Sequence, residues 1–166
     1  MESSRVSITD VVWAGGTLAN VRAMDSNLRR VRFSDVRATG SSLAGATLED
    51  VRFAGCRLDL SNLRMTKLER VRFEGCWMEE ADFYHASLRC VVFDDCTLTG
   101  ANWSGATFER SEMRGTDLRV GWARVDPRGA DAMDRRREIG ERDREGGRHR
   151  GDRVADWGLP QWPPNE

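Results

Sequence analysis

Large apolar residues recur at every fifth position of this chain. The series starts at Ile8, Trp13, Leu18, Ala23 and Leu28 and runs without a break to Met113 and Leu118, 23 positions in all. Two residues before each lies a second column: Val6, Val11, Gly16, Val21, Ser26, Val31 and onward to Thr116. Every member of that column is Val, Ala, Ser, Cys, Thr or Gly. On an α-helix a five-residue step rotates by roughly 140°, so the apolar set would spiral around the rod. On a flat strand five is odd, and successive large residues would fall on opposite faces. The chain must therefore bend between repeats, so that each repeat becomes one side of a coil.

A second period gives the number of sides. Val-Arg-Phe stands at 31–33, 51–53 and 71–73, and Val91-Val92-Phe93 nearly repeats it. Phe33, Phe53, Phe73 and Phe93 are 20 apart, as are Cys56, Cys76 and Cys96. Twenty residues is four repeats, so like stacks on like at every fourth side. With parallel coils about 4.8 Å apart, 23 repeats make 5.75 coils and a rod of roughly 27 Å. Parallel crossovers favour a right-handed sense. The expected fold is all-β, a right-handed quadrilateral parallel β-helix over residues 1–120. Each large residue should fill the interior, with the small residue two before it also facing inward where space is short.

The closest approaches to a common unit are Ala81-Asp82-Phe83, Ala101-Asn102-Trp103, Ser61-Asn62-Leu63 and Ser26-Asn27-Leu28. On these residues, and on the unbroken register, the sequence resembles the pentapeptide-repeat proteins with their A(D/N)LXX motif. The resemblance implies the same quadrilateral β-helix and says little about activity, because a fold does not fix a function.

Composition then narrows the class. The formal net charge is −1, from 26 basic and 27 acidic residues. No basic footprint for direct nucleic-acid binding is present. No run approaches the roughly 18 apolar residues of a membrane span. The N-terminal MESSRVSITDVVW lacks a secretory pattern, so Cys56, Cys76, Cys90 and Cys96 read as reduced thiols in a cytoplasmic protein. The 20-residue cysteine ladder lines up along the rod and does not converge on a point, which suits small buried hydrophobes better than a metal. Cys90 should sit at a corner. His85 follows Tyr84 and should point outward. No Ser/His/Asp set, phosphate loop or HExxH motif occurs. The sequence therefore predicts no enzyme, no cofactor and no metal.

What remains is the outer surface. Trp77 replaces a polar residue in an outward column, beside Glu79 and Glu80, with Tyr84 and His85 close by. Arg32, Arg52 and Arg72 stack on the Phe-bearing side, where Asp35, Glu74, Asp94 and Asp95 should pair with them. These eight residues, Arg32, Arg52, Arg72, Trp77, Glu79, Glu80, Tyr84 and His85, form the candidate partner-contact surface. Two functions follow. One is a non-catalytic interaction or scaffolding rod with an unknown protein partner. The other comes from the resemblance: some pentapeptide-repeat proteins guard DNA gyrase and topoisomerase IV from quinolone-like poisons by mimicking duplex DNA, typically as homodimers through a C-terminal helical cap. Duplex DNA carries one charge per about 1.7 Å, or roughly 16 over the rod. Residues 1–118 hold 17 Asp or Glu and 15 Lys or Arg, a net of −2.

Residues 121–166 form an Arg- and Gly-rich tail. Asp131 could cap a short helix over 132–139. The following ERDREGGRHRGDR has the composition of a disordered run. The apolar stretch Trp157–Pro164 returns, and with Trp122 it could cover the last coil, whose strand edge needs a cap.

Overall fold

A computed structural model describes residues 5–117. Leu118, the expected helix over 132–139 and the tryptophans assigned to capping all lie outside the described residues. The described chain is a parallel β-solenoid of about five turns.

Two of its four sides are sheets. Side one stacks Ser7–Thr9, Asn27–Arg29, Thr47–Glu49, Lys67–Glu69, Ser87–Arg89 and Thr107–Glu109. Side two stacks Val12–Ala14, Arg32–Ser34, Arg52–Ala54, Arg72–Glu74, Val92–Asp94 and Glu112–Arg114. All pairings are parallel and offset by 20, as in Phe33 with Phe53 and Leu48 with Leu68. Sides three and four are thinner ladders of single parallel bridges. One ladder runs Thr17, Arg37, Arg57, Trp77, Thr97, Asp117, and the other Arg22, Ser42, Asn62, Asp82, Asn102. We number the coils from side one, so coil 3 is residues 46–65 and coil 4 is residues 66–85.

Within each repeat the small residue and the large residue face inward and the one between faces out. Val51 and Phe53 are buried around the half-buried Arg52. The core is one continuous cluster from Leu28 to Ala106. Its spine is the Phe column of side two, where Phe33, Phe53, Phe73 and Phe93 stack at 4.9, 5.0 and 4.8 Å. That spacing equals the distance between neighbouring strands, so the rings repeat with the backbone. Phe83 stacks on Trp103 at 4.3 Å and meets Phe93 edge-on, which ties side four to side two. Each such ring contributes about 1.5–3 kcal/mol by burial alone.

The bend follows from one backbone choice. Every fifth residue from Asp10 to Gly115 has positive φ. After side three, and after side four from the second coil onward, the bend is also closed by a hydrogen bond, as in Ser41 N–H to Ala38 O at 3.1 Å and Ala46 N–H to Leu43 O at 2.9 Å. A left-handed third residue with this bond is what a type II turn requires. Among the described residues the bends after sides one and two lack that bond.

The first coil departs from the expected core. Trp13 is 39% exposed, although its column is buried from Phe33 to Phe93. Ile8 and Leu18 are only partly buried. No earlier coil covers them among the described residues, so half of each side chain's packing partners is missing.

Candidate interaction surface

Ion pairs concentrate on sides one and two. At their shared corner Arg30 grips Asp10 with two bonds of 2.5 and 2.7 Å. Forty residues on, Arg70 grips Asp50 at 2.6 and 3.2 Å, reaches Glu49 at 2.7 Å and pairs with Glu69. The Asp50 hydrogen bond, followed by the surrounding carboxylates, raises the Arg70 guanidinium above its ordinary pKa. On side two Arg52 binds Glu74 at 2.8 Å and Arg72 binds Asp94 at 3.2 Å as well as Glu74. The arginine stripe expected from the sequence is thus present, and its second and third members are held by carboxylates of their own side.

Sides three and four carry a different surface. Beyond the first coil, the exposed large apolar residues among those described are Leu60, Met65 and Trp77, at 58, 58 and 45% exposure. Trp77 lies on side three of coil 4, with exposed Glu79 and Glu80 beside it. Leu60 is the corner between sides three and four in coil 3, and Met65 is the next corner on. Tyr84 and His85 end side four of coil 4, ring edge against ring face at 4.2 Å. The structure therefore brings Trp77, Glu79, Glu80, Tyr84 and His85 onto one coil and leaves Arg32, Arg52 and Arg72 on another side.

The two aromatics are held from below in the same way. Arg57 of coil 3 lies over the Trp77 ring at 5.3 Å, and Arg64 of coil 3 over the Tyr84 ring at 4.5 Å. Side four is further fixed by its Asp and Asn residues. Asp82 Oδ1 accepts the Tyr84 backbone N–H at 3.0 Å and the Asn102 side-chain amide at 3.0 Å. Asn62 and Asn102 accept the N–H two residues on at 3.1 Å each. An Asp or Asn in this place makes the local turn that a small apolar residue could not.

Leu60 and Met65 escaped the sequence reading, and they occupy strained backbone. Their φ values are +57 and +55°, and the same columns hold Gly40, Gly100, Gly45 and Gly105. A left-handed conformation costs a side chain of this kind roughly 1–2 kcal/mol, which glycine avoids. The available signal was a large apolar residue in corner columns otherwise filled by Gly, Asn, Asp, Glu and His.

The interior of the described rod is filled by the side chains of the core. Cys56, Cys76 and Cys96 are 1–2% exposed, each with its Sγ 3.4–3.6 Å from a backbone oxygen of the coil before: Phe33, Phe53 and Phe73. The adjacent thiols, together with burial, push the Cys76 thiol well above its ordinary pKa. Cys90 sits at a corner and is half-buried. Among the described residues no group of three or more His, Cys, Asp or Glu is placed to hold a metal ion. Nor is any described helix long and apolar enough to cross a membrane.

The five-residue sides, the 20-residue ladders and the Asp/Asn turn motif agree with the comparison against known families. The family model of the pentapeptide repeat region matches residues 6–83 and again 46–120. The chain is a pentapeptide-repeat protein. Among solved structures, it is similar to HetL, a pentapeptide-repeat protein involved in heterocyst differentiation regulation in the cyanobacterium Nostoc sp. The identity is 22%, with 64% of this chain and 51% of that chain covered and a TM-score of 0.60. This pentapeptide-repeat chain thus spans about half the length of HetL. A second similar structure is Rfr23 from the cyanobacterium Cyanothece, at 17% identity, 74 and 86% coverage and a TM-score of 0.37. A third is a trypsin-treated form of QnrB1, a plasmid-mediated fluoroquinolone resistance protein, at 15% identity, 81 and 98% coverage and a TM-score of 0.41. At these identities the likeness concerns the fold. No curated protein matches the chain.

Proposed function

We propose that this pentapeptide-repeat rod is a non-catalytic interaction module that docks a protein partner on sides three and four of coils 3 and 4. The observation that carries this reading is the placement of Leu60, Met65 and Trp77. They are large, apolar and exposed, they lie within two coils on adjacent sides, and two of them sit on backbone that glycine would occupy more cheaply. Strain kept in place beside an apolar surface is a feature of contact sites. Glu79, Glu80, Arg57 and Arg64 supply a polar rim, as interfaces usually have. The four free thiols support a reducing, cytoplasmic setting.

A duplex-DNA mimic would need a run of acidic side chains along one side. The carboxylates of sides one and two are instead interleaved with the arginines that bind them. We therefore place the topoisomerase reading second.

A photo-crosslinking amino acid in place of Met65, compared with one in place of Arg52, tests the proposal in the native host. Discrete adducts to another protein at 65 and none at 52 are expected. Adducts at 52 alone would move the surface to the ion-paired sides and sink the reading.

A further inference from the structure

Coil 1, residues 6–25, ends the described rod on a surface suited to burial. Among the described residues, five of the eight exposed large apolar side chains belong to it: Val6, Val12, Trp13, Val21 and Met24. Val6 and Val21 stand in inward columns whose later members are Ser, Ala or Thr, from Ser26 to Ala106 and from Ser41 to Ala101. These columns thus turn more apolar where a terminal repeat left in water would turn polar. The backbone is open as well. Asn27, Arg32, Arg37 and Ser42 donate their N–H groups back to the carbonyls of Val6, Val11, Gly16 and Val21. One coil earlier the equivalent N–H groups, of Ser7, Val12, Thr17 and Arg22, point out of the end, and no described residue accepts them. Open strand edges of this kind recruit another strand.

We propose that coil 1 is covered by coil 1 of a second copy, head to head about a two-fold axis. The ramp of the coil singles out that axis. A single chain climbs one strand spacing per turn, about 1.2 Å per side. Side one is therefore the outermost part of the end and side four the most recessed. Two such ramps meet with an equal gap on every side in one two-fold arrangement: side one on side four, and side two on side three. The axis then passes through the corner of Arg5 and Asp25 and the corner of Gly15. Edges that meet across it run antiparallel, and each is paired by the same surface on the other copy.

Size and charge both suit this pairing. Val6 and Ile8 of side one face the smaller pair Val21 and Ala23, and Val11 and Trp13 of side two face Gly16 and Leu18. Each bulky row thus meets a slighter one, as close packing needs. The charged groups of residues 5–25 are Arg5, Asp10, Arg22 and Asp25, two of each sign, so the contact gathers no net charge. Asp10 ends side one, already held by Arg30 through two bonds. The exposed Arg22 of the second copy lies opposite that side and adds an opposite charge near Asp10. The axis corner brings together Arg5 and Asp25 of both copies, the Asp25 carboxylate leaning over Gly45. Coils 3 and 4 lie outside the contact, so Leu60, Met65 and Trp77 stay open in each copy.

The test uses the full chain in sedimentation equilibrium, with disulfide trapping to locate the contact. A dimer mass is expected. Arg22→Asp sets a like charge against Asp10 of the second copy and should weaken the dimer by about tenfold or more. Gly15→Cys lies on the axis, and nothing stands within 4 Å of the Cβ it adds. Oxidised glutathione should link it into a covalent dimer. Gly75→Cys is the control: it occupies the same corner three coils along, with equally open space, and should stay unlinked. A monomer at every concentration overturns the proposal and leaves the end to a segment of the same chain. A dimer linked through position 75 and not 15, or one indifferent to Arg22→Asp, places the contact elsewhere and overturns it too. The charge variant is read without any cysteine, so a poorly folded Gly15→Cys leaves the question decidable.

Discussion

Sides one and two, and sides three and four, are made from the same repeat and bury the same kind of column, yet they present opposite surfaces. The first pair has three-residue strands and a lattice of Arg–carboxylate bonds around Arg30, Arg52, Arg70 and Arg72. The second pair has single bridges, hydrogen-bonded corners and the exposed Leu60, Met65 and Trp77. The difference teaches that the solenoid's interior dictates almost nothing about its exterior. Two inward residues and one left-handed residue fix each repeat, and the outward residues are free to vary. Exposed ion pairs add little stability, typically below about 1 kcal/mol each. On sides one and two they tie arginines to carboxylates of the same sides, and in the proposed function sides three and four are the face for contact.

Cutting into each half sharpens the contrast. The largest effect is expected from Phe73→Ala on side two, where the ring sits between two others at 5.0 and 4.8 Å. It should cost about 3–5 kcal/mol in urea unfolding, against about 2–5 for Met78→Ala one side further on. Equal costs would show that the Phe stack adds nothing beyond burial.

The corners should respond in opposite directions. Gly55→Ala, after side two, places a Cβ 2.6 Å from Asp35 Oδ1 at φ +60° and should destabilise by about 1–2 kcal/mol. Leu60→Gly and Met65→Gly on the proposed contact face should leave stability unchanged or raise it by up to about 1 kcal/mol, as released strain offsets glycine's entropy. If both glycine variants unfold more easily in urea than the parent chain, those side chains serve the fold and not a partner.

The smallest effect belongs to pH. The hydrogen bond from Arg30 holds the Asp10 carboxyl below its ordinary value. A lowered folded pKa means stability that is present above the unfolded value and lost as pH falls through the folded one. Arg30→Met should move the Asp10 titration up toward the ordinary carboxylate range, read by carbon-detected NMR. An unmoved Asp10 would mean that the corner pair is not formed in solution.

The columns of the core were legible because burial repeats with the coil. Phe33 to Phe93 and Cys56 to Cys96 could be placed on one side from a 20-residue offset alone. Trp13 was misjudged because coverage by a neighbouring coil is a property of position along the rod, and residue type does not carry it. The ion pairs were legible in kind: Arg52 and Arg72 meet Glu74 and Asp94 on the expected side. The corner pairs Asp10–Arg30 and Asp50–Arg70 follow the same offset but occupy the bend, which the apolar pattern does not mark. Trp77, Tyr84 and His85 stood out as unusual outward residues. Leu60 and Met65 did not, because nothing in a leucine or a methionine announces positive φ, and at 14 bends the chain uses a residue other than glycine.

The unbroken register from Ile8 to Met113 gives this protein a coordinate system of its own. Five residues along the sequence is a quarter-turn about the axis, and 20 residues is one step of about 4.8 Å along it. Any outward group therefore has an address, and transplanting Leu60, Met65, Trp77 and Tyr84 together by 20 positions would translate the proposed contact face by one step without rotating it. Such a set of chains is a graduated ruler. The distance between a bound partner and either end could be changed in equal increments by editing sequence alone, and the response of the partner would reveal whether the rod sets a spacing.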